Sequence, residues 1–223
     1  MSKILKINKK INSFNRKINV DGDKSLSIRW ALLASQAVGV SKAYKLLKSE
    51  DVLSTLDCLK KLGVKINNNK NYCKIFGKGL NSFSYKSNLS LNAGNSGTLG
   101  RLLLGLLVHS NKKIKLLGDK SLSKRDFSRV TKPLQKFGAK FYFEKKNKLP
   151  LSILGSKKIK GIKYLENKGS AQCKTSVMLA ALNASGVTRI KAKKSRNHSE
   201  LLFKYLKIPI KIKSNKKYDF IDI

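Results

Sequence analysis

Apolar positions alternate between two kinds of segment along this chain. Residues 27–38, 98–109 and 171–184 carry apolar side chains around most of a helical circumference, which predicts three buried inner helices. Each is followed by a helix with a single apolar stripe that breaks into a short strand. Residues 56–66 read LDCLKKLGVKI, 131–141 read TKPLQKFGAKF and 200–212 read ELLFKYLKIPIKI. These outer helices begin near Asp51, Asp126 and Asn197, and Asn197-His198-Ser199-Glu200 reads as a capping box. Gly63 and Gly138 suit the left-handed position that ends a helix, and Pro209 does the stopping in the third case. Short β-rich runs at 43–47, 72–76, 114–117, 151–154, 187–190 and 218–221 fill the intervals.

The pattern is a repeat of about 70 residues, taken three times, each strand–helix–strand–helix–strand–strand. One such unit cannot bury both of its helices alone. Three of them packed about a pseudo-threefold axis, apolar helices inside and sheets outside, can. The expected fold class is therefore α/β, with three βαβαββ units over residues 21–223 and a strand segment at 1–20. All three inner helices open on a loop of small residues, GDKS, GNSG and KGS. If the helices run parallel, their N-termini meet on one face, where unpaired N–H groups and positive dipole ends make an anion site.

Composition changes this picture little. The 223 residues are 41% hydrophobic, enough for a real core. The net charge of +37 prompts a polyanion-binding reading, but the excess is almost all lysine, evenly spread, beside frequent asparagine and isoleucine. A generic compositional bias accounts for that, and aromatics, at 8%, form no cluster interleaved with the lysines along the sequence. Neither nucleic acid nor a membrane is expected as a partner. Arginine is more informative, because a chain that uses lysine by default keeps only seven: Arg16, Arg29, Arg101, Arg125, Arg129, Arg189 and Arg196. A planar guanidinium grips carboxylate or phosphate with two bonds, as an ammonium cannot. Cys58, Cys73 and Cys173 lie far apart, with neither CxxC nor metal spacing, so no zinc site, metal or disulfide is expected. The basic N-terminus lacks the apolar region of a signal peptide and no run approaches membrane length, which fits the cytoplasm.

Five short motifs carry the chemistry. Asp23-Lys24-Ser25-Leu26-Ser27-Ile28-Arg29 opens the first inner helix, with Arg29 one turn beyond Ser25. Gly94-Asn95-Ser96-Gly97-Thr98-Leu99-Gly100-Arg101 opens the second, its glycines permitting close backbone approach to a ligand. Gly118-Asp119-Lys120-Ser121-Leu122-Ser123-Lys124-Arg125 repeats the hexapeptide GDKSLS of residues 22–27. Ser170-Ala171-Gln172 opens the third inner helix, and Ser195-Arg196-Asn197-His198-Ser199-Glu200 leads into the last outer one. Each alone also has a plain structural reading: a capped helix for the first, a turn for the second, an ordinary N-cap for Ser170 and a capping box for 197–200.

Together, in this order and spacing, the motifs resemble the EPSP synthase (3-phosphoshikimate 1-carboxyvinyltransferase) family, from residue 21 to about 212. The resemblance implies two similar domains of three βαβαββ units each, of which this chain carries the first. It implies transfer of the enolpyruvyl group of phosphoenolpyruvate to the 5-hydroxyl of shikimate 3-phosphate, in aromatic amino-acid biosynthesis, without a cofactor. By resemblance, Lys24, Ser25, Arg29, Ser170, Ala171, Gln172, Ser195 and Arg196 hold shikimate 3-phosphate. Lys24, Asn95, Gly97, Thr98, Arg125 and Gln172 meet phosphoenolpyruvate, with Lys24 the catalytic group on this half and the acid–base carboxylates on the other. Glyphosate occupies the phosphoenolpyruvate pocket in this family. Two departures stand out: Asp126 replaces the proline that often follows the Arg125 position, and Val20-Asp21-Gly22 replaces Pro-Gly. Length is the third, since a family member is roughly twice as long; the expected reading is a fragment, a half-enzyme with a separate C-terminal partner, or a remnant. The alternatives are a relative of UDP-N-acetylglucosamine enolpyruvyl transferase, against which Lys24-Ser25 with Arg29 argues, and a non-enzymatic polyanion-binding module.

Overall fold

The three apolar segments form buried helices in the computed structural model, which describes residues 6, 8–10, 13, 15 and 17–223. They are α1 (Lys24–Ala34), α3 (Gly97–Leu106) and α5 (Ala171–Ala181). The outer helices are α2 (Glu50–Lys61), α4 (Ser128–Gln135) and α6 (His198–Tyr205). Helix α3 ends in a 3₁₀ turn, Leu107–His109. It lies so close to α5 that a Cβ on Gly105 would stand 2.2 Å from the carbonyl oxygen of Ser176. The absent side chain is what lets the two helix backbones touch.

Three sheets surround the helices. The first holds β1 (Val38–Tyr44), β2 (Lys65–Asn68) and β3 (Tyr72–Lys78) in the order β1-β3-β2. The second holds β4 (Leu89–Asn92), β5 (Ile114–Leu117), β6 (Lys140–Lys145) and β7 (Lys148–Leu154) in the order β4-β5-β7-β6. The third holds β8 (Lys163–Glu166), β9 (Arg189–Lys193), β10 (Lys211–Ser214) and β11 (Tyr218–Asp222) in the order β10-β11-β9-β8. The pairs β4·β5 and β8·β9 are parallel and all others antiparallel. The second and third units are thus complete βαβαββ repeats. In the first unit the strand segment expected at 1–20 lies in large part outside the described residues, and residues 17–23 enter α1 without regular structure.

Three local expectations are corrected. The strand placed at 43–47 runs earlier, over Val38–Tyr44, because it pairs along its whole length with β3, from Val38↔Lys78 to Tyr44↔Tyr72. Lys45 then takes a positive φ of 52° and ends it, while Leu46 and Leu47 pack on the core from a loop. Pro209 does not stop α6. Lys207 does, in the left-handed conformation with φ 55°, as its N–H bonds Lys204 O and the Ile208 N–H bonds Phe203 O. The same pair of bonds closes α2 around Gly63, whose φ is 86°. The capping box at 197–200 does not form. Asn197 makes no side-chain cap bond, and Glu200 turns inward to pair with Lys174.

The sheets also bring lysines over aromatic rings, within one strand and across strands. Lys42 sits over Tyr44 and Tyr72, Lys65 over Phe76, and Lys191 over Tyr218 and Phe220. The outward strand faces therefore cover their rings with ammonium groups, each contact contributing about 0.5–1 kcal/mol at an exposed site. No helix among the described residues is long and apolar enough to cross a membrane.

Candidate active-site face

The hexapeptide repeat has one conformation in both places. Asp23 accepts the Leu26 N–H at 2.7 Å, and Asp119 accepts the Leu122 N–H at 2.6 Å. The first turn continues into α1. The second stops after one 3₁₀ turn, Leu122–Lys124, because Arg125 is extended and the Phe127 N–H is drawn to Asn147 O at 2.8 Å. The other two inner helices are capped by serine. Ser96 accepts from Leu99 N–H and Ser170 from Cys173 N–H, both at 3.2 Å. The N-cap reading of Ser170 therefore holds, and its own N–H is taken by the buried Glu166 at 2.8 Å.

Side chains tie the helix starts together. Gln172 Nε2 donates to Thr98 Oγ1 at 2.9 Å, and Arg101 Nη1 donates to Gln172 Oε1 at 3.0 Å. The first turns of α3 and α5 thus lie side by side, as parallel inner helices require. Helix α1 joins them through Arg29, which is 5% exposed. Its Nε donates to Ser199 Oγ at 2.7 Å, its Nη2 to Thr175 Oγ1 at 3.4 Å and its Nη1 to Ser25 O at 3.1 Å.

Five of the described arginines gather here, in two groups. Arg29 is close enough to Arg196 for their charges to interact. Arg101 feels Arg125 and Arg129. Burial lowers the pKa of Arg29, opposed by the charges of Glu200 and Asp23. Burial also lowers that of Arg101, and Arg125 and Arg129 push the same way. In both, the lowering comes chiefly from burying the charged form.

The remaining residues singled out in the sequence fall unevenly. Ser25 and Ala171 sit at the helix starts, and Arg125 and Arg196 are exposed. Gly97 is buried, and a Cβ there would meet the guanidinium groups of both Arg101 and Arg125. Lys24, also exposed, pairs with Asp51 at the start of α2, at 2.7 Å. Asn95 Nδ2 donates to Asp119 at 2.7 Å, which fastens the second motif to the third. The Ser195 hydroxyl is buried without a hydrogen-bond partner. Asp126, two residues before α4, accepts the Ser128 N–H at 2.7 Å and the Ser128 hydroxyl. These bonds pull its pKa below the ordinary carboxylate value. Arg101, Thr175 and Ser199 were not assigned a role from sequence. Arg101 had a signal, being an arginine in the second motif of a lysine-rich chain, and Ser199 had its place in the fifth motif; Thr175 had none.

A profile of the EPSP synthase (3-phosphoshikimate 1-carboxyvinyltransferase) family matches residues 8–221. The chain is 40% identical over 200 residues to the 3-phosphoshikimate 1-carboxyvinyltransferase of Thermoanaerobacter sp. (strain X514), covering 89% of this chain and 47% of that protein. It is 43% identical over 210 residues to the protein of the same name from Ruthia magnifica subsp. Calyptogena magnifica, covering 93% and 48%. Among solved structures, EPSP synthase from Acinetobacter baumannii superposes with a TM-score of 0.83 at 33% identity, over 92% of this chain and 46% of that one. The family match over residues 8–221 and the shared fold place the chain in the EPSP synthase family. It spans about half the length of the curated relatives it matches.

Proposed function

We propose that this chain supplies one face of an enolpyruvyl transferase site, for shikimate 3-phosphate and phosphoenolpyruvate. The observation that carries the reading is the bonded set Arg101–Gln172–Thr98, which joins two helix N-termini with an arginine group on each side. Arg29, Arg196, Ser25, Ser170, Ala171, Gln172 and Ser195 take the shikimate 3-phosphate side. Arg125, Gly97, Thr98, Asn95 and Gln172 take the phosphoenolpyruvate side, and Lys24 serves both once it leaves Asp51. The reaction forms a C–O bond from the 5-hydroxyl to C2 of the enol as C3 gains a proton. The tetrahedral ketal then loses phosphate and a C3 proton to give the enol ether. Both substrates are small anions, and pre-aimed N–H and guanidinium donors stabilise the charge they carry.

Titration calorimetry of the chain with shikimate 3-phosphate tests the reading. Binding is expected, and Arg196→Ala should weaken it by about 1–3 kcal/mol, the range for a hydrogen bond to a charged group. No detectable heat at millimolar ligand, or an unchanged affinity in Arg196→Ala, would count against it.

A further inference from the structure

Two buried charges have no part in the ligand contacts above. Lys174 is 0% exposed and Glu200 4% exposed, and they form an ion pair. Asp219 on β11 adds a carboxylate oxygen 3.8 Å from Lys174 Nζ. Neither Lys174 Nζ nor either Glu200 oxygen has a hydrogen-bond partner besides. Desolvation makes such a pair a poor source of stability. Its neighbours point to another use. Lys174 precedes Thr175 on α5, and Glu200 follows Ser199 on α6. The Thr175 and Ser199 hydroxyls bond each other at 2.6 Å, and both accept from Arg29. Helices α5 and α6 are therefore joined by two adjacent rungs, the ion pair and the hydroxyl pair, with the Arg29 fork laid across the second. The charged groups acting on that fork are Glu200, Asp23 and Arg196.

We propose that Lys174 is a positioning residue for anion binding: by neutralising Glu200 it keeps the Arg29 guanidinium on Ser199 and Thr175, free for an anionic ligand. The identity of that ligand rests on the function proposed above. With Lys174 gone, the Glu200 carboxylate is a buried negative charge that already acts on Arg29, and the two draw together.

The test compares wild type, Lys174→Met and Lys174→Met/Glu200→Gln, with shikimate 3-phosphate affinity measured by calorimetry. Lys174→Met should bind about tenfold more weakly. The double variant should return to within about twofold of wild type. A role in packing alone would weaken both variants alike, and that result overturns the proposal, as does an unchanged Lys174→Met. If Lys174→Met does not fold, the double variant decides: affinity within about twofold supports the proposal and a tenfold loss overturns it. The Arg29 Nε–H signal in nitrogen-15 NMR, read without ligand, should move in Lys174→Met and return in the double variant. If wild type fails to bind shikimate 3-phosphate, the functional reading falls, and this signal still decides the present one, an unmoved signal overturning it.

Discussion

Gly97 faces Arg125 so closely that a Cβ on the glycine would stand 2.9 Å from the Arg125 Nη1 and 2.8 Å from that of Arg101. Both obstructing atoms are ends of flexible side chains, so alanine at 97 fits once the guanidinium groups move. The fold should tolerate Gly97→Ala with a loss of about 1 kcal/mol, the low end for overpacking, since the side-chain ends can move. Ligand binding should not be spared. In an enzyme completed with the C-terminal half of a relative, phosphoenolpyruvate affinity should fall roughly tenfold, about 1.4 kcal/mol. Glyphosate, if it takes the same pocket here as the resemblance implies, should weaken at least as much. Steady-state kinetics with unchanged KM for phosphoenolpyruvate would show that Arg125 does not hold it.

Arg29→Lys tests the other side of the face. Lysine retains the charge and loses the fork that reaches Ser199, Thr175 and the Ser25 carbonyl together. Shikimate 3-phosphate affinity should drop by about 1–3 kcal/mol. Because Arg29 is buried, thermal stability should fall too, by about 1 kcal/mol for the hydrogen bonds not remade. Calorimetry and a melting curve separate the two effects. Unchanged affinity with lowered stability would make Arg29 a core residue only.

Most of the architecture was legible because it repeats. The inner helices were marked by apolar residues all round, and Ile114–Leu117 matched its predicted strand residue for residue. Strands β4 and β8 were not, since LSLN and KYLE are short and mixed in polarity. They become strands by parallel pairing with β5 and β9, a long-range cause that local pattern does not carry. The site was legible as motifs and not as bonds. Glu200 reads as a capping residue from its offset to Asn197, and its real partner, Lys174, lies on another helix. Lys207 had no local mark, because a lysine in the left-handed region is held by the turn rather than favoured by its side chain.

That last residue yields a stability prediction independent of function. A left-handed conformation costs an L-residue about 1–2 kcal/mol, and glycine avoids it at an entropic cost of about 0.5–1 kcal/mol. Lys207→Gly should therefore stabilise the chain by about 0.5–1 kcal/mol, giving α6 the ending that Gly63 gives α2. Denaturant unfolding measures it. A loss of stability would mean that the Lys207 side chain makes a contact worth more than the backbone strain.

The final prediction is that this 223-residue chain, by itself, binds shikimate 3-phosphate without turning it over. The proposed reaction needs a proton delivered to C3 of the enol and one removed from the 5-hydroxyl, by groups within reach and with suitable pKa values. Each carboxylate placed here beside the anion loops is committed elsewhere. Asp23 caps α1, Asp51 pairs with Lys24, and Asp119 holds Leu122 and Asn95. Asp126 holds Ser128, Glu166 holds Ser170 and Arg129, and Glu200 holds Lys174. Asp119 and Asp126 have pKa values below the ordinary carboxylate value, chiefly through their hydrogen bonds to Leu122 and to Ser128. Both are therefore ionised at neutral pH and poor as proton donors. The face is also open, with Lys24, Asn95, Arg125 and Arg196 exposed, and nothing in these residues excludes water from a reacting enol. Phosphate release from phosphoenolpyruvate and shikimate 3-phosphate should be at background with the chain alone. It should appear when the separately produced C-terminal half of the Thermoanaerobacter relative is added. Robust release by the chain alone would overturn the argument and direct attention to Asp51, because its cation, Lys24, is the one that moves to the substrates in the proposed site.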